Sequence, residues 1–206
     1  MQIYADNAAT TRMPGAVIDV MKECMENIYG NPSSLHSPGQ RAAEVLAQAR
    51  ESVALMIGAE PKEIFFTSGG SESDNQAIRS AALAGKRKGK THLISTAFEH
   101  HAVLHTLRKL EGEGFEVTLL PVYENGIVRA EDVRNALRED TALVSVMTAN
   151  NEIGTIQPVK EIGAACREAG VVFHTDAVQA AGHIGLDVKE MNIDMLSLSA
   201  HKFGGP

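Results

Sequence analysis

The sequence predicts an α/β protein, a three-layer, mostly parallel sheet with helices on both faces. Two observations carry the prediction. Short β-rich runs alternate with helical patterns along most of the chain, the order that builds strand–helix–strand units. Several of those runs are apolar almost throughout, as strands buried on both faces require.

In chain order, the first stretch, up to about Leu35, holds no strong strand. Pro14–Ile28 reads as a helix with Pro14 in its first turn, and turn-forming residues follow at Gly30, Asn31 and Pro32. Pro38–Ile57 is the clearest helix. Ala42, Val45, Leu46, Ala49, Val53 and Met56 fall on one stripe, and Gly58 is the stop. Strands are then expected at Ile64–Thr67, His92–Thr96, Glu116–Pro121, Leu143–Thr148, Val171–Thr175 and Met195–Ser199. Helices are expected between them at Glu72–Leu83, His101–Glu113, Ala130–Leu137 and Pro158–Ala169. The basic run from Lys86 to Lys90 reads as a solvated loop.

Composition narrows the classes of function. The chain has 206 residues, enough for one sizeable core with room for a small second lobe. A net charge of −7 argues against a non-specific nucleic-acid surface. No apolar stretch approaches the about 20 residues of a membrane span, and the N-terminal Met-Gln-Ile-Tyr-Ala-Asp has no leader pattern. Cys24 and Cys166 lie far apart, which fits a reducing cytoplasm better than a disulfide scaffold. The expectation is a cytoplasmic protein with neither nucleic acid nor membrane as partner.

Five motifs carry chemistry. The first is Thr67-Ser68-Gly69-Gly70-Ser71-Glu72-Ser73-Asp74-Asn75, where a strand is expected to give way to a helix. Ser71 and Asp74 have the spacing of a capping box. The glycines expose backbone N–H groups where the helix dipole is positive, a phosphate cradle. A plain glycine turn with a good N-cap is the alternative. No Gly-Lys-Ser/Thr follows, so this is not a nucleoside-triphosphate loop.

The second motif ends the run from Val171 with Asp176, and Gln179 lies three residues on. Both could face a ligand crevice at a strand's C-terminal end. A buried carboxylate there needs a cationic partner or several donors; the alternative is a helix N-cap. The third is Ser199-Ala200-His201-Lys202. A lysine at that strand end could form an imine with an aldehyde cofactor, with Ser199 and His201 donating to a phosphate. The alternative is a surface lysine in a turn.

The fourth motif sets His100 between a strand and a helix, where an imidazole could stack on a flat cofactor and act in acid–base steps. His101 and His105 lie one helical turn apart, but no acidic or cysteine cluster accompanies them, so no metal is expected. The fifth is Asn150-Asn151-Glu152-Ile153-Gly154, whose amides could meet a substrate carboxylate or a cofactor oxygen, or simply form a turn. All five follow a predicted strand, so a parallel sheet gathers them at one edge. A lysine to capture an aldehyde, an acid for a ring nitrogen and anchors for a phosphate are the parts that pyridoxal phosphate (PLP) requires.

At this point the sequence resembles the cysteine desulfurases of iron–sulfur cluster biosynthesis, class V aminotransferases with PLP fold type I. The resemblance rests on Tyr4–Thr11, Gly30–Ser34 with His36, Thr67–Asn75, Glu99-His100, Asn150–Gly154, His174–Gln179 and His201-Lys202, and so covers the whole chain. It implies that Lys202 is the Schiff-base lysine and moves protons at the substrate α-carbon. It implies that Asp176 keeps the pyridine nitrogen protonated, and that Gln179 hydrogen-bonds the phenolic oxygen. His100 would stack on the ring and act in acid–base steps. Gly70, Ser71, Ser199 and His201 would hold the phosphate, and Asn151 would contact substrate or ring oxygen. The implied substrate is L-cysteine, converted to L-alanine with its sulfur left as a protein persulfide.

The resemblance also sets expectations for organisation. Residues 1–15 would be an N-terminal arm packing toward a small domain, and 16–206 the PLP-binding large domain without its C-terminal part. Relatives continue past this lysine into a segment holding the persulfide cysteine, a carboxylate-binding arginine and a phosphate contact from a dimer partner. Cys24 and Cys166 match neither in position and read as structural thiols. A strand beyond Pro206 would flank Ile64–Thr67 in the family sheet. The expected partners are the C-terminal remainder of the same protein, a second copy in a homodimer, and a scaffold or sulfur-acceptor protein. A related PLP lyase or aminotransferase, such as a selenocysteine lyase, and an inactive cofactor-binding fragment are the alternatives.

Overall fold

The apolar runs become five parallel strands: β1 (His92–Thr96), β2 (Glu116–Leu120), β3 (Thr141–Ser145), β4 (Val172–Asp176) and β5 (Met195–Ser197). The structure is a computed structural model describing residues 3–206. It divides the chain into two compact units. One runs up to Phe66 and takes in Gly185–Asp187 and Ala200–Pro206; the other is Thr67–Ile184 with Val188–Ser199.

All five strands lie in the second unit, in the order β2-β1-β3-β4-β5, every neighbouring pair parallel. Parallel neighbours need crossovers. The crossovers α4 (His101–Gly112), α5 (Ala130–Ala136) and α6 (Val159–Ala169) join β1 to β2, β2 to β3 and β3 to β4. A further helix, here α3 (Gly70–Lys86), precedes β1. Side chains alternate across a strand, so adjacent residues such as Leu93 and Ile94, or Leu143 and Val144, serve opposite faces. Leu93 and Leu143 pack with Ile78 and Ala82 of α3 and Val103, Leu107 and Leu110 of α4. Ile94, Val144 and Phe173 pack with Val133 of α5 and Ile162 and Cys166 of α6. The predicted three-layer, mostly parallel α/β sheet is what forms. Burying each large apolar side chain contributes roughly 1.5–3 kcal/mol, so fully buried β1 and β3 anchor the sheet and half-exposed β2 forms an edge.

In the first unit, α1 is Gly15–Asn27 and α2 is Ser37–Ile57. His36 caps α2, its Nδ1 accepting from the Gly39 N–H at 3.3 Å, and Gly58 ends it in the left-handed conformation. Ala42 of the predicted stripe is buried, but Leu46, Ala49 and Met56 are exposed, while Ala54 and Ile57 are buried instead.

One predicted strand is absent. Residues 64–67 carry no β-ladder. The Ile64 N–H donates to Pro61 O, and its carbonyl accepts from the Arg50 guanidinium, so its backbone groups are taken by its own neighbourhood. A strand exists only with a partner to share its hydrogen bonds, and among the described residues none pairs with this stretch.

Candidate active site

At the C-terminal end of the sheet the second unit gathers the loops after β1, β3, β4 and β5. Strand order reverses between β1 and β3, since β2 lies beyond β1 and β4 beyond β3. Ligand crevices of open α/β sheets form at such a switch point.

Asp176 is the last residue of β4 and is nearly fully buried. Its Oδ1 accepts the Val178 N–H at 2.9 Å. No helix starts there among the described residues, so the N-cap reading of Asp176 gives way to a carboxylate at a strand end. Gln179 follows, half-buried.

The capping box read from Ser71 and Asp74 is not formed. The N-cap of α3 is Gly69, and Ser71 is exposed in the first turn. Glu72 instead folds back on the segment before the helix, its carboxylate accepting the Ser68 N–H, which lowers its pKa. The first N–H groups of α3 have no intrahelical acceptor. At Gly70 an added Cβ would lie 2.9 Å from Val178 Cγ2 and 3.5 Å from Ser199 Cβ. The ends of α3, β4 and β5 therefore converge on Gly70, with buried Ser199 beside it.

His100 caps α4, Nδ1 accepting the Ala102 N–H at 3.1 Å, which leaves Nε2 as the ring nitrogen available for proton exchange on an exposed side chain. Glu99 beside it is buried, and Oε1 accepts from Thr96 Oγ1 at 2.6 Å and the Met147 N–H at 3.0 Å. Burial pushes Glu99 up to about 8. Asn150 donates to Phe98 O at 3.1 Å, and its Oδ1 accepts the Glu152 and Ile153 N–H groups. Asn150 is thus the turn-former, tying the His100 loop to the loop that presents half-buried Asn151.

Lys202 and His201 belong to the first unit, in the 3₁₀ turn Ala200–Lys202. There the Thr11 N–H and hydroxyl both donate to His201 O, at 2.9 and 2.8 Å. The Lys202 ammonium donates to Ala8 O, and the Gly204 N–H donates to Thr11 Oγ1 at 2.8 Å. The arm residues Ala8–Thr11 thus hold the lysine turn, a role no local sequence signal announced. His101 and His105 stack on each other, ring centroids 5.4 Å apart.

Residues 3–206 match the family Aminotransferase class-V. The chain belongs to that family. Among class-V members named cysteine desulfurase, that of Clostridium botulinum (strain Hall) is 56% identical over 205 residues, covering 100% of this chain and 51% of its own length. That of Methanosarcina thermophila is 54% identical, covering 99% and 50%. A solved structure described as SspA in complex with cysteine superimposes with a TM-score of 0.94 at 44% identity, covering 100% of this chain and 59% of that one. The chain spans about half the length of the curated relatives it matches. The class-V fold is the α/β sheet described above, and the family is PLP-dependent.

Proposed function

We propose that this chain is the cofactor-binding part of a PLP-dependent cysteine desulfurase that takes sulfur from L-cysteine for iron–sulfur cluster assembly. The observation that carries the reading is the buried carboxylate of Asp176 at the end of β4, next to the small-residue cradle of Gly70 and Ser199. A buried carboxylate is stabilised by a cation or by several donors, and a protonated pyridine nitrogen is such a cation. A helix N-terminus whose first residue carries no Cβ fits a phosphate. These residues fit PLP. When bound, PLP supplies the electron sink that stabilises negative charge at the substrate α-carbon.

The chain's own residues then divide the work. Asp176 would set its negative charge against the ring nitrogen, and Gln179 would donate to the ring oxygen. The α3 N-terminus at Gly70 and Ser71, with Ser199, would bind the phosphate, a role that the resemblance gives to His201 as well. Lys202 would hold the cofactor through its aldehyde and would move the proton at the substrate α-carbon. His100, its Nδ1 already engaged, exchanges protons through Nε2, and Asn151 meets the substrate or the ring oxygen. In the overall reaction the Cβ–S bond of cysteine breaks and an S–S bond forms to a protein thiolate, giving alanine and a persulfide. Cys166 is not that thiolate: it is fully buried, and burial pushes its thiol up to about 12. We assign the acceptor thiol to the part of the protein outside these 206 residues. The resemblance supports a homodimer that passes its sulfur to a scaffold or acceptor protein in the cytoplasm.

Borohydride reduction of the full-length protein loaded with PLP, followed by peptide mass spectrometry, tests the reading. The expected result is a pyridoxyl label on Lys202. A label on another lysine, or none on folded protein, contradicts it.

A further inference from the structure

The face of the sheet toward α3 changes character along the strands. Its N-terminal half is apolar, with Leu93, Leu143 and Met195 packed against the helices. Two residues further along each strand, the same alternation places Ser95, Ser145 and Ser197, and on β4 His174 and then Asp176. All five are buried. The strand register puts Ser145 beside His174, and Asp176 beside Ser197.

A hydrogen-bonded chain joins them. Ser95 donates to Ser145 O at 2.8 Å, and Ser145 Oγ meets His174 Nδ1 at 2.9 Å. His174 Nε2 meets Ser197 Oγ at 3.1 Å, and Ser73 of α3 donates to Ser197 Oγ at 2.9 Å. Asp74, the next residue of α3, lies over the same place. It is 1% exposed, its carboxyl bonds Ser197, and its Oδ1 is 3.7 Å from His174 Nε2. That Oδ1 has no hydrogen-bond partner.

Proton counting on Ser197 leaves two arrangements. It already accepts from Ser73, so of Asp74 and His174 one donates to it and it donates to the other. If Asp74 is ionised, its Oδ1 is a buried anion without a donor, facing a neutral imidazole, which is costly. If Asp74 is the acid, its O–H donates to Ser197, Ser197 donates to His174 Nε2, and the Nδ1–H of His174 donates to Ser145. The protons on Asp74, on Ser197 and on His174 Nδ1 then each have an acceptor, and no buried anion is left facing a neutral ring without a donor. The titratable groups that act on Asp74 favour the second arrangement. His174 of β4 is fully buried, which pushes it down to about 4 and keeps it neutral at pH 7. Asp176 of β4 repels a second negative charge on Asp74. Glu99, from the loop after β1, shares the same mutual repulsion.

We propose that Asp74 is a positioning residue held as the neutral acid, so that its proton fixes the Ser197–His174–Ser145 chain and Asp176 remains the single anion of the cluster. The functional part rests on the proposed function, since it gives Asp176 a cationic ring nitrogen to face. One negative charge opposite one positive charge is what such a site needs, and two further ionised carboxylates beside it would spoil the match.

Infrared difference spectra of the full-length protein without cofactor test the charge state directly. At neutral pH the protein shows the C=O stretch of a buried protonated carboxyl, one component of which disappears in Asp74→Asn and persists in Glu99→Gln. Absence of that component, or its survival in Asp74→Asn, overturns the proposal. With PLP added, Asp74→Ala weakens cofactor binding by about tenfold, the scale of one lost hydrogen bond. It also shifts the pH midpoint of the cofactor's visible absorption. Asp74→Asn, which keeps a donor toward Ser197, recovers most of both changes; equal losses in the two variants contradict the positioning role. If the unaltered protein binds no PLP, the proposed function fails, while the infrared result stands on its own.

Discussion

Asp74 and Glu99 are acids buried against their own chemistry, and the consequence is measurable as stability. Burial pushes both up to about 8, whereas in the unfolded chain they ionise near 4. The folded state therefore binds more protons than the unfolded state between those values, and stability falls as pH rises through that window. His174 acts the other way. Held down to about 4 against an ordinary 6.5, it leaves the unfolded chain binding the extra proton below about 6.5, where stability rises with pH. Above 6.5 the two acids act unopposed. Stability of the full-length protein is expected to fall from about pH 6.5 to 8, each acid contributing at most about 1.4 kcal/mol per pH unit. Urea unfolding across that range measures the slope, and Glu99→Gln should remove about half of it. An unchanged slope in that variant would show that Glu99 is ionised in the fold.

At the scale of elements, the tightest constraint sits under α6. A Cβ at Gly163 would lie 2.0 Å from Met191 O, a backbone atom in the segment leading to β5. Backbone cannot yield as a side-chain tip can, so Gly163→Ala should cost about 1–3 kcal/mol, read as a lower urea midpoint. A midpoint equal to that of the unaltered protein would mean that the 188–193 segment shifts freely. No sequence pattern marked this glycine, because its partner lies far along the chain. What periodicity does report was legible: all six predicted helices and five of the six predicted strands lie within a few residues of their places. The His174–Ser197 chain was not, for a physical reason. A histidine inside an apolar strand reads the same whether it meets serines or a void, and only strand register decides. For the same reason Asp176 was legible by its position after a strand, and Asp74 only through the helix that lays it over the sheet. Ile64–Thr67 failed oppositely, since its β-rich composition has no ladder to join among the described residues.

For the whole molecule, the two thiols set a limit on what these residues do without the rest of the protein. Cys166 is sealed in the core, and Cys24 sits half-buried on α1, outside the five motifs that carry the chemistry in the sequence. Expressed on its own, the 206-residue chain is expected to release no sulfide from cysteine in the presence of PLP and a thiol reductant, while the full-length protein does. Sustained alanine and sulfide production by the short chain would require Cys24 as the nucleophile, and Cys24→Ser would then abolish it. The first unit also leaves large apolar side chains open, with Phe65 74% and Leu35 91% exposed. Exposed patches of this kind promote association, so the assay needs light scattering alongside it to show that the short chain is dispersed.

The bonds from Ala8 and Thr11 to Lys202, His201 and Gly204 join residues about 190 positions apart, and this has a temporal meaning during synthesis. The arm leaves the ribosome early, and the turn that captures it follows only about 190 residues later. At about 5–20 residues per second the arm waits roughly ten to forty seconds before its partner exists. Until then no lysine stands in the turn to meet a reactive aldehyde. The reactive group is assembled only after the sheet that precedes it in the chain has been made.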